Sequence, residues 1–248
     1  MLSCPYIGLR PFRESDCPFF FGREREIRVI SSNLQGQRLT VLYGPSGVGK
    51  SSVLQAGVIP HLKASGNTSV VYFNEWQSPS SLSELSEKCR HAGREDHLQD
   101  NVPKRTGTLF LLLDQFEELL LYNAEGAGRE FDASLARIVN REDVSARALI
   151  GIREDSLSKL DQRFGIRIPD VLGNTLALDH LDVTAARDAV RLPLVVFNER
   201  DPEAGEYHIE PELVEEILRQ VQAGRVDKGE STGRGSAARE NENTIETA

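Results

Sequence analysis

Short apolar runs, separated by amphipathic and polar stretches, set the plan of this chain. Leu39-Thr40-Val41-Leu42-Tyr43, Ser69-Val70-Val71-Tyr72-Phe73-Asn74, Leu109-Phe110-Leu111-Leu112-Leu113 and the run from Ala146 to Arg153 are strand-length and mostly apolar. Each predicts a buried strand. Thr175-Leu176-Ala177-Leu178 alternates and predicts a further one. Helical patterns fall between them: one after Gly22 through about Leu34, one over Ser51–Ile59 that Pro60 is expected to end, one over 79–91 with Leu82 and Leu85 inward, and one near Arg129–Asn140. Two more follow the last strand, Ala185 to Leu192 ending at Pro193, and Pro211 to Val221. Residues 92–107 are polar and contain Gly93, Pro103 and Gly107, which predicts a loop or insertion.

The N-terminal segment breaks this rhythm. Pro5, Pro11 and Pro18 prevent a regular element, yet Tyr6, Ile7, Leu9, Phe12, Phe19, Phe20 and Phe21 are strongly apolar. A chain with so many aromatics has reason to pack, so residues 1–22 predict an extended arm against the domain. Two readings of it stand: a structural cap, or a cover for the base of a nucleotide. At the other end, 223–248 loses its apolar residues and reads as a disordered tail.

One stretch brings chemistry to this pattern. Gly44-Pro45-Ser46-Gly47-Val48-Gly49-Lys50-Ser51 fits G-x-x-x-x-G-K-[ST], with a predicted strand before it and a predicted helix after. Glycines let the backbone curl so that its N–H groups face phosphate oxygens. The helix N-terminus adds partial positive charge at the same place. Gly44 through Ser52 therefore form the expected phosphate cradle. Lys50 reaches the β- and γ-phosphates, and the Ser51 hydroxyl is a magnesium ligand.

The second signal is Leu113-Asp114-Gln115-Phe116-Glu117-Glu118. An apolar strand ending in an acid places a carboxylate at the C-terminal edge of a parallel sheet, where ligands bind. Asp114 is the expected partner of Ser51 at the metal. Gln115 stands where a water-activating acid would follow directly, so Glu117 and Glu118 are the candidate general bases. Either also fits as a solvated acid favoured by the helix dipole. Arg153, at the end of a neighbouring strand, fits a γ-phosphate sensor or a surface ion-pair partner.

Charge and composition then exclude rather than assign. A net charge of −9 without a long basic run argues against general nucleic-acid binding. Cys4, Cys17 and Cys89 match no zinc spacing and no disulfide framework, which points to a reducing, cytoplasmic setting. The longest apolar runs are too short to cross a membrane.

Taken together, Pro5-Tyr6-Ile7-Gly8-Leu9-Arg10-Pro11-Phe12, Phe20-Phe21-Gly22-Arg23-Glu24, the phosphate loop, the Asp114-Gln115-Phe116-Glu117-Glu118 stretch and the strand into Arg153 resemble the bacterial "novel STAND NTPase" group over about residues 5–222. STAND proteins are multidomain P-loop signalling ATPases. The resemblance implies an α/β P-loop NTPase with a parallel sheet between helices, followed by a small helical lid. In that frame 1–22 is the arm, 23–173 the core and 174–222 the lid. The resemblance implies Phe21, Gly22 and Arg23 near the adenine, a sensor role for Arg153 and a lid position for Pro193 beside the nucleotide. It also implies ATP and ADP with Mg2+ as cofactors, nucleotide-dependent self-association, and sensor or effector partners that the residues do not identify. ATP is favoured over GTP by the resemblance and by the lack of an Asn-Lys-x-Asp guanine-reading motif. Met1 leaves no room for an N-terminal effector, and the chain stops about where a winged-helix segment is expected. A fragment, a truncated product or a stand-alone ATPase core is therefore expected. The leading reading is a slowly hydrolysing switch, closed with ADP and open with ATP. The alternatives are a conventional ATP-dependent enzyme or ring motor, and a nucleotide-binding interaction module without hydrolysis.

Overall fold

A computed structural model describes residues 4–95, 107–122, 127–140, 145–200, 206–229 and 244–245. The apolar runs form strands β1 (Leu39–Gly44), β2 (Thr68–Phe73), β3 (Thr108–Leu113), β4 (Ala146–Arg153) and β5 (Thr175–Ala177). They pair in parallel in the order β2-β3-β4-β1-β5. The central strands are buried on both faces. That is why their sequences read as continuous apolar runs rather than alternating ones.

Helices cover both faces. On one lie α1 (Glu24–Gly36) and the phosphate-loop helix α2, continuous through Lys50–Ser52, Val53–Val58 and Ile59–Ala64. Ile30, Leu34, Val53, Leu54, Val58 and Leu62 pack there against Leu42, Leu112 and Leu149. On the other lie α3 (Ser81–Glu95), α4 (Phe116–Tyr122), α5 (Ala127–Asn140) and α6 (Leu157–Phe164). Trp76, at the centre of that face, meets Phe73 and Phe116 edge-on at ring centroid distances of 4.8 and 5.5 Å, a favoured aromatic geometry. A third, smaller core joins Leu181 and Ala186 to Val214 and Leu218. It lies between helix α7 (Val183–Arg200) and helix α8 (Pro211–Gly229).

Three expected helix ends move. Pro60 does not stop α2, because the turns before it widen to π-helical form and the Ile59 N–H bonds the Leu54 carbonyl five residues back. A widened turn relieves the clash between a proline ring and the carbonyl of the preceding turn. Pro193 does not end α7, which passes through it to Arg200, with the proline buried. Helix α8 continues past Val221 to Gly229, and β7 (Thr244–Ile245) pairs antiparallel with β6 (Leu181–Asp182). Positions 223–229 and 244–245 of the expected tail are thus in a helix and a strand. The rest of it, and most of the expected loop at 92–107, lie outside the described residues. The part of that loop at 92–95 is the end of α3.

Candidate functional site

The sheet order brings the sequence-distant motifs to one edge. Gly44 pairs with Arg153, and Leu113 pairs with both Phe73 and Ile150. The phosphate loop, Asp114 and the end of β4 therefore line the C-terminal edge of the sheet. The loop from Gly44 to Lys50 turns through Gly47 and Gly49, both with left-handed φ (79° and 95°), a conformation that glycine adopts freely. Pro45, Ser46 and Gly47 are exposed, whereas Val48 is buried in the core and anchors the loop. The half-buried Lys50 folds back on this loop, its Nζ donating to the carbonyls of Gly44 and Pro45 at 2.8 and 2.9 Å. Burial lowers the Lys50 pKa, opposed by the charges of Glu117 and Asp114.

Asp114 is almost wholly buried. Its main chain is fixed on both sides: its N–H donates to the Phe73 carbonyl at 2.8 Å, and Trp76 Nε1 donates to its carbonyl at 2.7 Å. Gln115 follows with a left-handed φ of 52°. This sharp corner starts α4, which carries both candidate acids. They diverge from there. Glu117 Oε2 accepts the Arg153 main-chain N–H at 3.2 Å. Burial raises the Glu117 carboxyl above its usual range, partly offset by that hydrogen bond and by the Lys50 charge. Glu118 instead accepts from Gln77 Nε2 at 3.3 Å, near the surface. The Arg153 guanidinium is half-exposed and bonds Asp155 at 2.7 Å.

The N-terminal arm reaches this edge as well. The Phe12 N–H donates to Ser52 Oγ at 3.2 Å. Phe21 is half-buried, and Gly22 turns with φ 86° directly against the Ala185 carbonyl of α7. Arg23 is buried; its Nη2 donates to the Val48 carbonyl of the phosphate loop at 3.0 Å and its Nη1 meets Glu26 at 3.5 Å. Burial lowers its pKa, opposed by Glu26 and by the more distant Asp179 and Asp182. Tyr6 donates from its hydroxyl to the Val190 carbonyl of α7 at 2.8 Å. Ala185 and Ala189 both neighbour Gly22. Pro193 lies one helical turn beyond Ala189 on the same stripe.

A magnesium ion fits the donor set. Among the described residues one Asp114 oxygen, Oδ1, is buried without a hydrogen-bond partner. No cluster of three or more His, Cys, Asp or Glu among those residues could hold a metal unaided. The fit is thus to a cation that takes one or two protein oxygens and completes its shell with phosphate and water.

A family model for novel STAND NTPase 1 matches residues 5–229. The chain belongs to that family. It is a nucleotide-binding P-loop NTPase with an α/β fold. No curated protein matches it. A solved Walker-type ATPase of Pyrococcus abyssi is 16% identical, with a TM-score of 0.57 over 86% of this chain and 66% of that one. The Aeropyrum pernix ORC1 protein in complex with DNA is 16% identical, with a TM-score of 0.46 over 90% of this chain and 64% of that one. The ADP form of Aeropyrum pernix ORC2 is 18% identical, with a TM-score of 0.49 over 77% and 54%. The first of these shows the shared fold. The chain spans roughly half to two thirds of the length of these structures.

Sequence reasoning on this STAND NTPase missed side chains that act across the fold. Tyr72 donates to Asp114 Oδ2 at 2.8 Å from the end of β2. Its only signal is a polar tip at the same sheet edge as Asp114. Arg163 holds Asp132 through Nε at 3.0 and 3.1 Å and bonds the Leu119 carbonyl of α4 at 3.2 Å. Nothing in the spacing of those residues marks that contact. Among the described residues no helix is long and apolar enough to cross a membrane.

Proposed function

We propose that this chain is the nucleotide-switch core of a signalling ATPase, binding Mg-ATP, hydrolysing it slowly and closing around ADP. The observation that carries this reading is the path of the N-terminal arm. Arg23 grips the phosphate loop at Val48. The arm on its N-terminal side lies on α7, with Gly22 directly against the Ala185 carbonyl and Tyr6 donating to the Val190 carbonyl. A change in the loop on nucleotide exchange is thereby coupled to α7 and α8, which act as the lid of 174–222. In this reading Arg23 acts through the loop. Phe21, Gly22 and the Ala185–Ala189–Pro193 stripe form the side that faces the base.

Within the site, loop N–H groups from Gly44 to Ser52 hold phosphate oxygens. Lys50 exchanges its loop carbonyls for the β- and γ-phosphates. Ser51 and Asp114 would hold the magnesium ion, which when bound would neutralise charge on the transferred phosphoryl group. Glu117 rather than Glu118 is the base, because it is held at the sheet edge on the Arg153 main-chain N–H, whereas Glu118 turns to Gln77 near the surface; a proton acceptor must be within reach of the site. Arg153 fixes Glu117 through its main chain, and its guanidinium is free to turn from Asp155 to a γ-phosphate. ADP retention, self-association on ATP exchange and a cytoplasmic setting belong to the same proposal.

The test is the nucleotide content and turnover of the purified protein. Denaturation and chromatography identify any bound nucleotide, while ATP hydrolysis is followed with magnesium. Co-purified ADP and turnover of about one per minute or slower, the range of switch NTPases without an arginine supplied by a partner, are expected. An empty protein with fast turnover overturns the switch in favour of a conventional ATPase. An empty, inactive protein overturns the assignment of a self-sufficient site to this chain.

A further inference from the structure

The Tyr72 hydroxyl stands between Asp114 and the phosphate-loop helix. It donates to Asp114 Oδ2 at 2.8 Å and accepts from Gln55 Nε2 at 3.1 Å. The Gln55 amide nitrogen only donates and so takes an acceptor site of the phenol oxygen, leaving its one proton for Asp114. Tyr72 thereby ties Asp114 to α2, the helix that carries Ser51.

The same contact sorts the two oxygens of Asp114. Oδ2 is occupied by the phenol, whereas Oδ1 is buried and has no partner among the described residues. Oδ1 lies beside Gly151, where an added Cβ would come within 2.7 Å of it. The main chain of Asp114 is held by Phe73 and Trp76, so rotation of the carboxylate is the freedom left for Tyr72 to remove. Ser51 and Tyr72 come from different elements, α2 and β2, and Gln55 stands one turn beyond Ser51 on α2.

We propose that Tyr72 is the positioning residue of the divalent-cation site, setting which oxygen of Asp114 faces the metal. The proposal rests on the reading that Ser51 and Asp114 hold the cation. Tyr72 acts on the site through Asp114. Partners of this kind set ligand orientation and change metal affinity by about 10- to 100-fold when removed.

The test measures Mn2+ affinity by electron paramagnetic resonance on the full chain loaded with ADP, for wild type, Asp114→Ala and Tyr72→Phe. ADP affinity in EDTA is measured alongside. Tyr72→Phe keeps the ring and removes only the hydroxyl. The expected result is ADP affinity in EDTA within about twofold of wild type, with Mn2+ affinity reduced about 10- to 100-fold and the bound-Mn2+ spectrum altered. If Asp114→Ala weakens Mn2+ binding and Tyr72→Phe does not, the positioning role is overturned while the cation site stands. If Asp114→Ala leaves Mn2+ affinity unchanged, the underlying site assignment fails, and this proposal with it. If Tyr72→Phe loses ADP binding in EDTA too, Tyr72 has a general structural role and the proposal is overturned.

Discussion

Replacing Gly22 with alanine tests whether the arm lies against α7 in solution. Gly22 has φ 86°, and a Cβ there would stand 2.4 Å from the Ala185 carbonyl oxygen and 3.1 Å from its carbon. Unstrained non-bonded heavy atoms stay about 3.5 Å apart, so the overlap is close to an ångström. The atoms struck are helix backbone, which yields only if α7 moves. Two costs add. A left-handed φ costs an L-residue about 1–2 kcal/mol, and forcing packed elements apart costs about 1–3 kcal/mol more. Gly8 separates them: it shares the positive φ, at 73°, but an added Cβ meets nothing within 4 Å. Gly8→Ala is expected to carry only the first cost, and Gly22→Ala both, about 2–5 kcal/mol in sum. Urea unfolding gives the totals, and amide hydrogen exchange over Val183–Arg200 shows where the loss falls. Gly22→Ala should accelerate exchange in that helix and weaken ADP retention; Gly8→Ala should do neither. Equal losses in the two variants, with α7 protection unchanged, would refute the contact and the coupling built on it.

Four further outcomes follow from the structure. Glu117→Gln should retain nucleotide and lose turnover while Glu118→Gln keeps it, read by single-turnover ATP hydrolysis. Burial raises the folded pKa of Glu117, so its stabilising contribution is complete below the unfolded value of about 4.3 and is lost as pH rises through the folded value; Glu117→Gln should therefore gain urea stability over wild type across that rise. Asp16 behaves oppositely: the Arg10 hydrogen bond holds its carboxyl below the usual range, so its contribution is present above the unfolded value and lost as pH falls through the folded one. Asp16→Asn should loosen the arm at neutral pH, with the difference from wild type closing in acid, as read by limited proteolysis near Arg10 and Arg13. Asp132→Ala removes the carboxylate partner of Arg163, whose side chain is 14% exposed against 7% for Asp132, and should cost about 3–5 kcal/mol in urea unfolding; a paired Asp132→Leu, Arg163→Met variant should recover most of it.

Much of the fold was legible because burial leaves a direct mark on composition. Strands covered on both faces have no polar side to show, so β1, β3 and β4 stand out as apolar runs wherever the chain places them. Their order carries no such mark. That β4 lies between β1 and β3 depends on which parallel neighbours the crossovers allow, and no local period encodes it. Helix ends were misjudged where proline was read as a stop. At Pro60 the widened turns of α2 absorb the ring. At Pro193 the helix continues past the lost hydrogen bond with the proline buried. A local propensity was outweighed in both places by what the helix packs against.

The site divides along the same line. Its phosphate-facing half is contiguous in sequence, and the loop from Gly44 to Ser51 announces itself. The contacts that surround it are of long range: Arg23 to Val48, Tyr72 to Asp114 and Tyr6 to Val190, separated by 25, 42 and 184 residues. None of these residue types is unusual where it stands, so no motif could flag them. Arg23 is buried and holds the phosphate loop at the Val48 carbonyl, and the residue before it, Gly22, lies directly against the Ala185 carbonyl of α7. In the switch proposed above, a nucleotide that moves the Val48 carbonyl would therefore pull on a segment that has no room to shift without disturbing the start of α7, because a buried arginine does not leave its partner without cost.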